Sequence, residues 1–144
     1  MDASAINELK AVLDLYMAQY NATDKLWTYF STVTLAVIGF SIASDKVSKS
    51  FLEASIVAIG YFVFCLANFK ALRLSQLQLE QFADIARQVA DSHHVGLSTL
   101  TPFSAAELAT FYWPISITVC MGILLITYRR LSKRAGEQTL AQSA

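Results

Sequence analysis

Residues Leu26 to Ser44 read LWTYFSTVTLAVIGFSIAS and carry no charged side chain. Phe51 to Phe69 (FLEASIVAIGYFVFCLANF) carries a single charge, Glu53, near its start. Leu108 to Tyr128 (LATFYWPISITVCMGILLITY) again carries none. As a helix each stretch is about 30 Å long, the thickness of a bilayer core. A helix buried in a soluble bundle is usually shorter and polar on one side. Three membrane spans are therefore the reading, not a soluble bundle. The composition agrees: 55% of the 144 residues are hydrophobic and 15% charged, against about 45–50% and about 25% in soluble domains. The chain is predicted to be all-α, an integral membrane protein with three transmembrane helices.

Working outward from the first span, residues 1–25 hold Asp2, Glu8, Lys10, Asp14, Asp24 and Lys25 and no apolar core of a signal peptide. We expect no cleavage, with the first span serving as the targeting signal. Ile6, Leu9, Leu13, Tyr16 and Tyr20 recur at spacings of three and four, and the register continues through Thr23, Trp27, Phe30, Thr34 and Val37. One long helix from about Ala3 to Ser44 follows, because no Pro or Gly interrupts it before Gly39. An amphipathic helix on the membrane surface would need a bend near Lys25. On the far side of the second span, 70–94 keeps Leu72, Ser75, Leu79, Phe82, Ala86 and Val89 at heptad spacing. A second helix, Phe51 to about Ser92, is predicted. Asp45–Ser50 then forms a tight hairpin, and the two polar extensions emerge on one side. Their apolar stripes can pack together, pair across subunits, or both.

The second helix is expected to stop at His93-His94-Val95-Gly96, with the glycine as terminator. In the loop and cap, 95–107, Ser104-Ala105-Ala106-Glu107 fits a capping box, with Phe103 and Leu108 placed for a hydrophobic staple. The third helix should begin at about Ala105 and kink at Pro114. The basic remainder, 129–144, is expected to be mostly disordered. Trp27, Tyr29, Phe69, Tyr112 and Trp113 mark one membrane face, that of the polar extensions. Lys10, Lys25, Lys70, Arg73 and Arg87 fall on that side; Lys46, Lys49, Arg129, Arg130, Lys133 and Arg134 fall on the other. The positive-inside rule leans to a cytoplasmic C-terminus. The bulk of extramembrane chain on the opposite side argues the reverse, and the orientation stays open.

The sequence shows no catalytic motif and points to no enzyme, metal centre or cofactor: there is no Gly-rich phosphate loop, nucleophile elbow or His-Glu zinc motif. His93 and His94 are adjacent and do not share a helix face. Cys65 and Cys120 lie inside spans and read as small apolar fillers. The Asn21-Ala22-Thr23 sequon lies on a predicted helix and is discounted. Zero net charge speaks against duplex nucleic acid as a partner. Glu53 is a functional candidate because a carboxylate in an apolar segment is costly. It could ring the mouth of an oligomeric pore, with Gly60 at heptad spacing on its face, or snorkel beside Lys46 or Lys49. Ser31, Thr34 and Ser41 could line water or bond a neighbouring helix, and Asn68 could bond across helices. Small residues recur at Ala36, Gly39 and Ala43, at Ala54 and Ala58, and at Ser116 and Cys120. Three spans cannot easily enclose a pore, so conduction implies a ring of identical subunits. Ile6, Leu9, Leu13, Tyr16, Tyr20, Leu72, Leu79 and Phe82 are the seam candidates.

The succession Ala3–Lys25, Leu26–Ser44, Phe51–Phe69, Lys70–Ser92 resembles small membrane effectors of bacterial anti-phage defence, of the SLATT type. With Leu108–Tyr128 as a third span it also resembles the channel subunit of the Hailong system. The resemblance implies a homo-oligomeric channel in the bacterial cytoplasmic membrane, gated by a nucleotide-derived ligand from a partner enzyme. Lys10, Lys25, Lys70, Arg73 and Arg87 are then the candidate phosphate contacts. A phage-type holin and a non-conducting scaffold or accessory subunit are the competing readings.

Overall fold

The computed structural model describes residues 3–44, 50–97 and 100–142. It is all-helical: α1 spans Ala3–Ala43, α2 Phe51–Ser92 and α3 Ala105–Gln142. The 41 residues of α1 and 42 of α2 are each about twice the roughly 20 residues that a bilayer core needs. Both begin and end where the unbroken registers predicted. Residues 45–49 of the expected Asp45–Ser50 hairpin, with Lys46 and Lys49, lie outside the described residues.

Three helices are long and apolar enough to cross a membrane. Only 17%, 28% and 17% of the residues in their apolar windows are buried within the chain. Leu35, Phe40, Leu52, Ile59, Val63, Ile117 and Met121 are among the large side chains left exposed. Water-soluble monomers rarely leave so much contiguous apolar surface uncovered. The chain therefore has the surface of an integral membrane protein.

The helices contribute to two packing units. One gathers the chain up to Tyr29 with Asn68–Phe111; the other gathers Phe30–Ala67 with Tyr112 onward. These boundaries fall within about one helical turn of those between the charged and charge-free stretches.

In the first unit Tyr16, Leu79 and Ala83 form the core, with Phe82 and Leu100 against it. Ala83, Ala86 and Ala90 are fully buried, and such small residues let another backbone approach closely. Gln19 Nε2 donates to Ser75 Oγ (2.9 Å) and to the Ser75 carbonyl (3.1 Å), and the Thr23 and Ser75 hydroxyls bond at 2.7 Å. Polar seam residues thus satisfy one another where α1 meets α2.

The residue that terminates α2 differs from the expected glycine. The Val95 N–H donates to the Ala90 carbonyl (2.8 Å) and the His94 N–H to Asp91 (3.1 Å). That pair is a Schellman motif. His94 occupies its left-handed position, with φ 59°. Gly96 is not in that conformation, so the stop lies two residues before the glycine.

In the second unit Ala54 and Ile123 are core, flanked by Val37, Val57 and Val119. The Phe30 and Tyr112 rings lie 4.4 Å apart, tilted by 33°. Helix α3 runs through Pro114 and continues to Gln142, through the stretch expected to be a disordered tail. Arg130 in that extension donates to the Ile42 carbonyl at 3.2 Å. A cation there satisfies an orphan carbonyl and complements the negative end of α1.

Candidate functional site

The hydroxyl-bearing residues of the spans divide between inside and outside. Thr34 and Ser41 are buried. The Thr34 hydroxyl lies 2.6 Å from the Phe30 carbonyl, to which it donates, and 2.9 Å from the Tyr61 hydroxyl. Ser41 donates to the Val37 carbonyl at 2.7 Å. Ser116 and Thr127 likewise donate to carbonyls one turn back and are buried. Bonding within the chain accounts for these groups. Ser31 and Gly60 are exposed instead, and Asn68 is buried in the first unit. The pore-lining candidates therefore do not share one face of a single subunit.

Glu53 has a local role at the start of α2. It lies in the first turn of α2, half-buried, and its N–H points at Ser50 Oγ, 3.5 Å away. Ser50-Phe51-Leu52-Glu53 repeats the spacing of Ser104-Ala105-Ala106-Glu107. An acid in the first turn is favoured by the helix dipole whatever else it does. The same device is complete at α3. Glu107 accepts from the Ser104 N–H (2.8 Å) and hydroxyl (2.9 Å), and Ser104 Oγ accepts from the Glu107 N–H (3.2 Å). These bonds hold the Glu107 carboxyl below the usual carboxylate range.

Among the seam candidates, Leu9, Tyr16, Leu72 and Leu79 are buried, Leu13 and Phe82 half-buried, and Ile6 and Tyr20 exposed. The stripes of α1 and α2 are spent largely on packing within the chain. Cys65 and Cys120 are free thiols, and the Tyr112 hydroxyl donates to the Cys65 carbonyl at 2.9 Å. Among the described residues no three His, Cys, Asp or Glu side chains gather as a metal site. His93 lies 3.9 Å from the Glu8 carboxylate, while His94 is exposed.

Of the candidate phosphate contacts, Lys10, Lys25, Lys70 and Arg73 are exposed, and Arg87 pairs with Asp84. The first unit also holds a cavity of about 280 Å³, which the sequence did not reveal. Tyr16, Tyr20, Trp27 and Phe103 line it, together with Thr23, Asp24, Gln76, Leu79, Thr101 and Pro102. Its wall is fixed by Gln76, buried on α2, which donates to the Phe103 carbonyl at 2.5 Å and ties the loop down. Burial, and Tyr20 alongside, push the Tyr16 hydroxyl pKa up, so this phenol stays neutral. None of the five basic residues lines this cavity, so a phosphate finds no counter-charge among its walls.

Comparison with known protein families, curated proteins and solved structures yields no match. The resemblance to defence effectors rests on architecture alone.

Proposed function

We propose that this chain is the subunit of a homo-oligomeric membrane channel or pore-type effector, controlled by a ligand or partner at its helical extramembrane head. The observation that carries self-association is the outward stripe of α1. Ala36, Gly39 and Ala43 are exposed, and a Cβ added at Gly39 would meet nothing within 4 Å. The small residues of α2, Ala54 and Ala58, are by contrast buried in the chain. Small residues one turn apart let two membrane helices approach closely, which is how helices associate where lipid gives no hydrophobic drive. A water path, if the oligomer conducts, runs between subunits, because the hydroxyls inside each one are already bonded. The defence setting follows from the resemblance in helix order.

Cross-linking in native-like discs followed by planar-bilayer recording tests both halves of the reading. A discrete oligomer with ligand- or partner-dependent current is expected. A monomer refutes self-association, and a silent oligomer refutes conduction. The second reading, a non-conducting scaffold or accessory subunit, is favoured by the inward use of Thr34 and Ser41, which leaves few polar groups to line a pore.

A further inference from the structure

The first unit holds two cavities that share Trp27, Gln76 and Phe103. The smaller, about 280 Å³, is lined by aromatic side chains and by one charged residue, Asp24. The other, about 400 Å³, adds Leu108 and Phe111 and no charge. Both cavities are walled by aromatic rings; the smaller adds the Asp24 carboxylate, and the larger adds Leu108 and carries no charge. Aromatic rings attract organic cations through their negative faces, and a carboxylate adds the counter-charge. Asp24 is exposed, and its main-chain carbonyl is occupied by the Thr28 hydroxyl. The smaller volume, about 280 Å³, lies just below the range of small-molecule pockets, about 300–1,000 Å³, and the larger, about 400 Å³, lies within it.

We propose that this pair of cavities binds an amphiphilic alkylammonium cation. Its ammonium head sits among Tyr16, Tyr20, Trp27 and Asp24, and its hydrocarbon tail lies along Phe103, Leu108 and Phe111. The head chemistry belongs equally to a lipid carrying an ammonium headgroup and to a free amphiphile. The site is independent of whether the oligomer conducts, and its test reads binding alone.

The protein in neutral maltoside micelles is titrated with hexyltrimethylammonium, with tetramethylammonium, and with an uncharged hexyl isostere bearing a tert-butyl head. Ionic strength is held constant. Trp27 fluorescence in a Trp113→Phe background gives the readout, and calorimetry on the unmodified chain repeats it without a substitution. Saturable binding of hexyltrimethylammonium is expected, at least tenfold tighter than of either comparator. Asp24→Asn should weaken it about tenfold. Tyr20→Leu should weaken it several-fold, while Tyr20→Phe, which keeps the ring, should not. Equal binding of the uncharged isostere, unchanged affinity in Asp24→Asn, or no saturable binding overturns the proposal. Repeating the titration in discs of phosphatidylcholine and of an uncharged glycosyl diacylglycerol, which has no ammonium group, identifies the source. Weaker apparent binding in the choline lipid makes a headgroup the occupant, and equal binding makes it a free cation.

Discussion

The hydroxyl of Tyr112 on α3 donates to the main-chain carbonyl of Cys65 on α2, at 2.9 Å and out of reach of water. That carbonyl also belongs to the helical ladder of α2, so the phenol uses its second lone pair. Removing the hydroxyl alone, in Tyr112→Phe, should cost about 0.6 kcal/mol and no more than about 1.7, the range for interhelical bonds in membranes. Tyr112→Ala also removes the ring packed on Phe30 and should cost about 3–5 kcal/mol. Reversible unfolding in mixed micelles measures both. Equal losses for the two variants would mean that the bond, not the ring, holds α3 to α2.

His94 occupies a left-handed position that a side chain makes expensive. His94→Gly should raise stability by about 1 kcal/mol. Gly96→Ala should change little, because that glycine has no left-handed φ and a Cβ there meets nothing within 4 Å. Thermal unfolding of the two variants checks the contrast; a destabilised Gly96→Ala with a neutral His94→Gly would restore the glycine as terminator.

The start of α3 should be sensitive to acid. The Glu107 carboxyl is lowered by its bonds to Ser104, so the folded state binds the proton less well than the unfolded one. Its stabilisation is complete above the ordinary carboxylate range and is lost as pH falls through the lowered folded value. Ser104→Ala should cost about 1 kcal/mol at neutral pH. It should also flatten the acid limb, which amide exchange at residues 106–108 between pH 3 and pH 7 would read. An unaltered acid limb in Ser104→Ala would detach Glu107 from the cap.

Two enlargements of small residues should fail in different ways. Gly39→Leu places bulk on the open outer face of α1 and should leave the subunit folded but dissociate the proposed oligomer. Ala58→Leu places it where the residue is already buried and should destabilise the subunit by about 1–3 kcal/mol. Size-exclusion chromatography with light scattering, paired with an unfolding curve, separates them. An intact oligomer in Gly39→Leu would move the subunit contact off this stripe.

The helices were legible because their cause is local. Uninterrupted registers and the Ser104–Glu107 spacing set the bounds of α1, α2 and the start of α3. What escaped sequence reasoning depends on partners distant in the chain. The Arg130 bond to the Ile42 carbonyl joins residues 88 positions apart, and nothing near Arg130 hints at it. The cavity beside Trp27 exists because Gln76 anchors Phe103. Periodicity finds the Leu9–Tyr16 stripe but cannot say whether it meets α2 of the same chain or of another. Ser50–Glu53 is legible in the same way, because it repeats the spacing of Ser104–Glu107 at the start of a helix. His94 as terminator was hidden by a glycine two residues on.

The spans bury small or hydroxyl-bearing side chains at Thr34, Ser41, Ala54, Ala58 and Ser116 and expose bulk at Leu35, Leu52, Ile59 and Met121, and this sets which mutations those positions tolerate. Ala54, Ala58, Cys65 and Ser116 should accept polarity but not volume. Leu35, Leu52, Ile59 and Met121 should accept any apolar shape but not a charge. A deep mutational scan would therefore sort the spans into positions ruled by size and positions ruled by polarity. The outer face of α1 at Ala36, Gly39 and Ala43 is the test strip. Size constraint there, on a surface that no described residue covers, would be the footprint of a neighbouring subunit written in tolerance alone.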